Sequence, residues 1–417
     1  MAPVWIAASN SVRKWISRID RNQRRSSTRS VRLPEPSLNT FLSECRRLFR
    51  RRLESLYKIV TILLATCGAV NAAEFTPATY DLSALPAYKP EQMALGVLRI
   101  YGTPLESLVG RWAFEFRQKQ GHVRLKAYLI NTSQAFAGLL TGQADIGLMG
   151  HRTWHTSLMG FHQAFGYDPL EIRFATGSYD DPEGSTPGLM FIVPKSNPLQ
   201  GLTLSQIDGI FGAQRTGGWD GTKWSTTAAR GPEGNIRTWG QLGLTGEWAD
   251  KPIHVHGSDV TLSNWSDLIE REAFKGGKKW NPAIIEGPRA DIGLKAHGKT
   301  RDQEIIEAVQ NDPLAVGFMF QRVINATGSD VKVLPLAANA GDPYIAPTPQ
   351  TFFDGSYPMH NGAYLYLNRV PGRPLSPREK EFVRFVLSRE GQQIVADSRI
   401  FIPLNAAQVR AELKKLD

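Results

Sequence analysis

Beyond residue 73 the sequence contains no cysteine; both of its cysteines, Cys45 and Cys67, come earlier. This excludes disulfides, a cysteine nucleophile and thiolate metal sites from the rest of the chain. Net charge is missing there as well. The 417 residues include 49 Lys/Arg and 39 Asp/Glu, a formal charge of +10, but residues 1–73 hold 14 of the basic and four of the acidic ones. The remainder therefore holds 35 of each sign. A neutral body gives no reason to expect bulk binding of nucleic acid or another polyanion. No later apolar run is long enough to span a bilayer. Gly-x-Ser-x-Gly, P-loop and dinucleotide fingerprints are all absent, so common hydrolase, nucleotidase and redox classes lack their motifs.

The first 73 residues read as a leader. RRLFRRRLESLYK is a basic stretch, Ile59–Val70 is an apolar core too short to cross a membrane, and VNAAE offers small residues for cleavage near Ala72 or Ala73. That pattern predicts a signal peptide and a periplasmic or secreted protein. A buried core helix is the other reading of Ile59–Val70, opposed by the basic flank and the small-residue exit. A lipid attachment at Cys67 is disfavoured by Thr66 before it. Residues 74–94 form an extended, Pro-rich lead.

From there the periodicity alternates. VLRIYG (Val97–Gly102) reads as a buried strand and Leu105–Gln120 as an amphipathic helix with Leu105, Leu108, Trp112 and Phe116 on one face. VRLKAYLI (Val123–Ile130) is a strand, NTSQAFAGLLTG a helix with Thr132 or Ser133 as N-cap, and ADIGLMG the next strand. This β–α–β–α–β order predicts an α/β fold with a mainly parallel sheet. Further strands are expected at LEIRFATG, GLMFIVP, PIHVHG, LAVGFMF, VKVLPLA and AYLYLNR. Helices are expected at LTLSQIDGIFG with a Thr203/Gln206 capping box, at Leu262–Phe274 and at Thr300–Asn311. SPREKEFVRFVLSREGQQIV reads as one long helix opened by Ser376, Pro377 and Glu379, and Thr216–Asn235 as a surface loop.

Several of these segments carry a resemblance. AGLLTGQADIGLMGHR, GLMFIVPKSNPLQGLTLSQIDGIF, IRTWGQLGLTG, LAVGFMF, YPMHNGAYLYLNRVPG and LSPREKEFVRFVLSREGQQIVADSRIFIPL run in order from about Leu95 to Leu404. In this the chain resembles a divergent member of the phosphate-binding proteins of ABC-type phosphate transporters, which are type II periplasmic binding proteins. The resemblance implies two α/β lobes, residues 95–187 with 338–417 and residues 188–337, closing by a hinge on phosphate or a similar oxyanion. It also implies an ABC transporter permease as partner, a monomer, no cofactor, no metal and no catalytic residue.

A tetrahedral oxyanion needs amide, hydroxyl and guanidinium donors, and selectivity for phosphate gains from a carboxylate that accepts its proton. By the resemblance, Thr103 in GTPL, Thr132 and Ser133 in NTSQ, and Arg152 at the end of the ADIGLM strand are ligand-site donors of the first lobe. Ser263 is the expected donor of the second. For Thr132 and Ser133 simple N-capping is an equal alternative, and for Arg152 a surface ion pair is the competing role. The family pattern is broken in places. His151 stands where a serine is usual and is a further candidate ligand residue, Asn264 and Trp265 follow Ser263 in place of Gly-Thr, and His360 and Asn361 replace an arginine-containing segment. The usual aspartate falls near Pro187, inside an apparent insertion, where Asp180 or Asp181 is the candidate carboxylate.

Other constellations are set aside. His254/His256 and His151/His155 have ligand-like spacing but no Cys or acidic cluster beside them, so ordinary polar roles are expected. Trp219, Trp224, Trp239, Trp248, Trp265 and Trp280 crowd the middle of the chain; packing is the commoner role, stacking on sugars or bases the rarer one. The alternatives to a phosphate receptor are a binding-protein scaffold with a changed ligand, a sensor or adhesion role, and a phosphatase-like hydrolase, for which no nucleophile–base pair can be assembled.

Overall fold

The computed structural model describes residues 80–177, 188–257, 260, 264–286, 301–320 and 330–417. All of them fall in one compact unit, Pro77–Asp417. The leader, Asp180, Asp181 and Ser263 lie outside the described residues.

Strand β1 (Gly96–Gly102) buries Leu98 and Ile100, and α1 (Glu106–Lys119) turns Leu108, Val109, Trp112 and Phe116 onto it. The expected alternation continues through β2 (Val123–Tyr128), α2 (Gln134–Leu140), β3 (Ile146–Met149), α3 (His155–Phe165) and β4 (Leu170–Thr176). The middle of the chain supplies β5 (Leu189–Pro194), β6 (Leu202–Thr203), α4 (Leu204–Phe211), β7 (Gly218–Asp220) and β8 (Lys223–Ser225). Then come β9 (His254–Gly257), α5 (Asn264–Glu272), β10 (Ile285–Glu286), α6 (Arg301–Asn311), β11 (Ala315–Phe320), β12 (Val331–Leu334) and β13 (Leu336–Ala337). The C-terminal part adds α7 (Pro349–Phe353), β14 (Gly362–Leu367), α8 (Pro377–Val386), α9 (Arg389–Ser398) and α10 (Ala406–Leu413).

Two five-stranded sheets result, in the orders β2-β1-β3-β14-β4 and β10-β9-β11-β5-β12. In each, four strands run one way and one is reversed: β14 is antiparallel to both β3 and β4, and β5 to both β11 and β12. This is the mainly parallel α/β architecture expected from the sequence. One face of the first sheet packs Trp112, Phe116, Phe174, Phe382 and Phe385, and Phe136, Phe161 and Tyr366 form a separate cluster. The second sheet is built on Phe191, Phe211, Trp239, Phe274 and Phe318. The chain leaves the first sheet after β4 and returns before β14, and its two crossing segments lie side by side. The Gly177 amide donates to Asn361 at 2.8 Å, and the Leu189 amide donates to Met359 at 2.9 Å.

Four expectations are corrected. The long C-terminal helix is two, because the Ser388 hydroxyl accepts from the Gly391 amide and starts a new helix after Leu387. Gly391 fits there since a Cβ would come within 2.1 Å of the Phe385 carbonyl. Thr216–Asn235 is not plain loop: β7 and β8 pair as a hairpin, with Trp219 opposite Trp224, and two 3₁₀ turns follow. VKVLPLA is broken at Pro335, which removes a ladder donor; β12 joins the second sheet and β13 pairs with β6. The strand at VRLKAYLI ends at Tyr128 rather than Ile130. The Thr203/Gln206 and Ser376/Glu379 capping boxes form as read.

Candidate functional site

The ends of β1 and β3 bring two of the expected donors together. Gly102 has φ +147°, and a Cβ there would lie 1.9 Å from the Leu148 carbonyl oxygen, so only glycine lets β1 finish against β3. The Thr103 amide then donates to Leu148 at 3.0 Å. Its hydroxyl accepts from the Gly150 amide at 3.1 Å and sits 3.1 Å from the hydroxyl of Thr132. Ser133 occupies the N-cap position of α2, but its hydroxyl makes no capping bond and the residue is exposed. Capping therefore does not account for it.

Arg152 lies elsewhere on the same loop. Its Nε donates to Glu171 Oε2 at 2.9 Å, and the Tyr366 hydroxyl donates to that same oxygen at 2.8 Å. The Thr153 amide donates to the Tyr366 oxygen at 2.9 Å, which closes the network onto the β3–α3 loop. Burial opposes the Arg152 charge, but Glu171 outweighs it and raises the guanidinium pKa; burial, aided by Glu171, raises the Tyr366 phenol. Arg152 and Glu171 line a cavity of 370 Å³ whose lining includes none of Thr103, Thr132 and Ser133. Arg152 and Thr153 of the β3–α3 loop, His155 of α3 and Glu171 of β4 form one side. Trp219, Asp220 and Gly221 of the β7–β8 hairpin and residues at the end of α5 form the other. The hairpin is held in place by Thr222, whose hydroxyl donates to Asp168 at 3.2 Å.

A family model described as the PBP superfamily domain matches residues 91–390. The chain belongs to the PBP superfamily. The phosphate-binding protein PstS of Pseudomonas aeruginosa (strain PAO1) is 28% identical over 366 residues, covering 88% of this PBP-superfamily chain and 99% of the relative. Its counterpart from strain UCBPP-PA14 matches equally. Among solved structures, PstS from Borrelia burgdorferi aligns over 74% of this chain and 99% of its own, with 16% identity and a TM-score of 0.45. An ABC-type phosphate transport receptor from Vibrio cholerae aligns over 73% and 99%, with 16% identity and a TM-score of 0.43.

The remaining expected residues of this PBP-superfamily chain divide. His151 is buried, its Nδ1 donates to the Arg152 carbonyl at 2.7 Å, and burial lowers its pKa. It is therefore a neutral imidazole near neutral pH and adds no cation. His254 donates to Asp312 at 2.7 Å while His256 approaches the same oxygen at 3.7 Å. Among the described residues no three His, Cys, Asp or Glu are grouped for a metal, and no helix is long and apolar enough to cross a membrane. Sequence reasoning missed Glu171, Thr153 and Tyr366. The one available signal was that Glu171 and Tyr366 each interrupt an apolar strand, LEIRF and AYLYL.

Proposed function

We propose that the protein is a periplasmic receptor for phosphate, or a similar tetrahedral oxyanion, and delivers it to the permease of an ABC importer. It is a binding protein rather than an enzyme, and acts as a monomer. Residues 95–187 with 338–417 make one lobe and 188–337 the other, hinged at the paired crossing segments. Closure of the lobes then captures the ligand without covalent chemistry. The observation that carries this reading is the cluster of Thr103, Thr132 and the Gly150 amide at the ends of β1 and β3. Open α/β sheets bind ligands beyond the carboxyl ends of their strands, where amides and hydroxyls converge. Ser133 adds a hydroxyl at the same edge, and Arg152 the positive charge two residues after the Gly150 amide. Ser263 is the donor assigned to the second lobe. Asp180 or Asp181 would accept the proton of HPO₄²⁻ and refuse a fully ionised sulfate. The name of the Pseudomonas relatives supports phosphate as the ligand.

A second reading, a receptor turned to another ligand, is favoured by one observation: Arg152 gives its Nε to Glu171 and so is partly neutralised. Calorimetric titration of the ligand-stripped protein with phosphate, then sulfate, decides between them. Phosphate taken and sulfate refused is the expected outcome. Binding of neither transfers the fold to the second reading.

A further inference from the structure

The 370 Å³ cavity is far larger than one phosphate ion and falls in the range of small-molecule sites, about 300–1,000 Å³. Away from Arg152 its lining is not built for an anion. There it carries four carboxylates, Glu171, Asp220, Asp267 and Glu270, against three cations, Arg271, Lys275 and Lys278. Two of those cations are already held, Arg271 by Asp267 at 2.8 Å and Lys278 by Glu270. Away from Arg152, a dianion would have to displace these carboxylates. A ligand rich in hydroxyl donors would instead find acceptors in place.

Three further features point the same way. Thr153 is more than nine-tenths buried on the cavity wall, and its hydroxyl has no hydrogen-bond partner among the described residues. The buried Nε2 of His155, also on the wall, has none either. Burial lowers the pKa of this imidazole, so near neutral pH it is uncharged and its unpartnered Nε2 can exchange a hydrogen bond with a ligand hydroxyl. Buried polar atoms of this kind are ordinarily satisfied, and a ligand is one way to do so. Opposite them stands Trp219, its ring 4.8 Å from that of His155, giving the cavity an aromatic wall. An aromatic face beside fixed carboxylate, hydroxyl and imidazole groups suits a ring with one apolar face and a rim of hydroxyls.

We infer that this cavity binds a polyhydroxylated moiety of monosaccharide size, either a free sugar or the polyol part of a phosphate monoester whose phosphoryl group meets Arg152. The proposal goes beyond the phosphate reading and does not need it, since a neutral sugar probes the cavity alone.

The test titrates the whole protein separately with D-glucose, D-glucose 6-phosphate and inorganic phosphate, by calorimetry and saturation-transfer NMR. Variants Thr153→Val and Trp219→Ala follow. Thr153→Val keeps side-chain shape and removes a hydroxyl that has no partner among the described residues, so thermal melting should confirm an intact fold. Glucose binding that weakens on the order of tenfold or more in Thr153→Val supports the free-sugar form. Glucose 6-phosphate bound more tightly than phosphate, with that advantage lost in Thr153→Val, supports the ester form. Trp219→Ala should weaken the same ligand. The proposal is overturned if phosphate alone binds, or if sugar binding is indifferent to both substitutions. If phosphate fails to bind while glucose binds, only the phosphate reading falls.

Discussion

Arg152 and Glu171 are joined by a single hydrogen bond, Nε to Oε2 at 2.9 Å, onto an oxygen that Tyr366 also holds. The arginine's side chain is 42% exposed, so solvent screens the pair and its contribution to stability is small, about 1 kcal/mol or less. Arg152→Ala should therefore leave the protein folded while lowering phosphate affinity at least about tenfold, the loss expected for a charge-assisted bond. Calorimetry on the folded variant is the check. Unchanged affinity would confine Arg152 to fastening the β3–α3 loop.

Gly102 controls the site from beneath. Alanine there would place Cβ 1.9 Å from the Leu148 carbonyl oxygen at a φ of +147°. β1 would have to move off β3, and Thr103 with it. Gly102→Ala should cost roughly 3 kcal/mol or more, the scale of a disfavoured backbone combined with a core clash. Urea unfolding monitored by circular dichroism measures it, and a loss below about 1 kcal/mol would show that the strand ends relax freely.

Asp208 is the central anion of a buried cluster under the second sheet. Both of its oxygens accept from Arg215 at 2.7 Å, and Arg230 lies 3.3 Å away. Removing the carboxylate leaves Arg215 buried without its charge partner. Asp208→Ala should destabilise by about 3–5 kcal/mol. A replacement costing under about 1 kcal/mol would mean that water reaches the cluster.

The histidines set an acid limit. Burial lowers the pKa of His151, His256 and His360 from the ordinary 6.5, against the pull of the Arg152 carbonyl, Asp312 and the Tyr357 carbonyl respectively. A lowered folded pKa means that the unfolded chain takes up protons first as pH falls. Stability from these groups is complete above about pH 7 and declines as pH drops below 6.5 toward each folded value. Melting temperature should thus fall between pH 7.5 and 5.5, and the drop should shrink in His151→Asn/His360→Asn. An identical drop in that double variant would place the sensitivity in other groups.

Much of this fold was legible because local patterning and tertiary role agree. Leu108, Trp112 and Phe116 sit at helical spacing and pack on β1, and Thr203 with Gln206 forms the capping box that its spacing announces. What escaped was set by tertiary pairing. Nothing periodic in Gly218–Ser225 foretells that Trp219 and Trp224 oppose each other across a hairpin. The helix break at Ser388 depends on its hydroxyl turning to the Gly391 amide rather than to solvent. Of the site, Thr103 and Thr132 meet as the motif order implied, since strand ends in a parallel sheet share one edge. Glu171 was not legible as a partner of Arg152, because the pairing of β4 with β14 brings them together from 19 residues apart.

The position of β14 between β3 and β4 has a consequence for how the chain is made. During synthesis β1 to β4 emerge long before β14, which follows the whole second sheet. Until residues 362–367 arrive, β3 and β4 have no common neighbour and each shows a bare, apolar edge. The first sheet cannot close on its own as a nascent domain; its completion is a late long-range pairing, and such pairings are slow. The strand that locks the first sheet is made only after the whole second sheet, so the first half of the chain stays open while the second is synthesised.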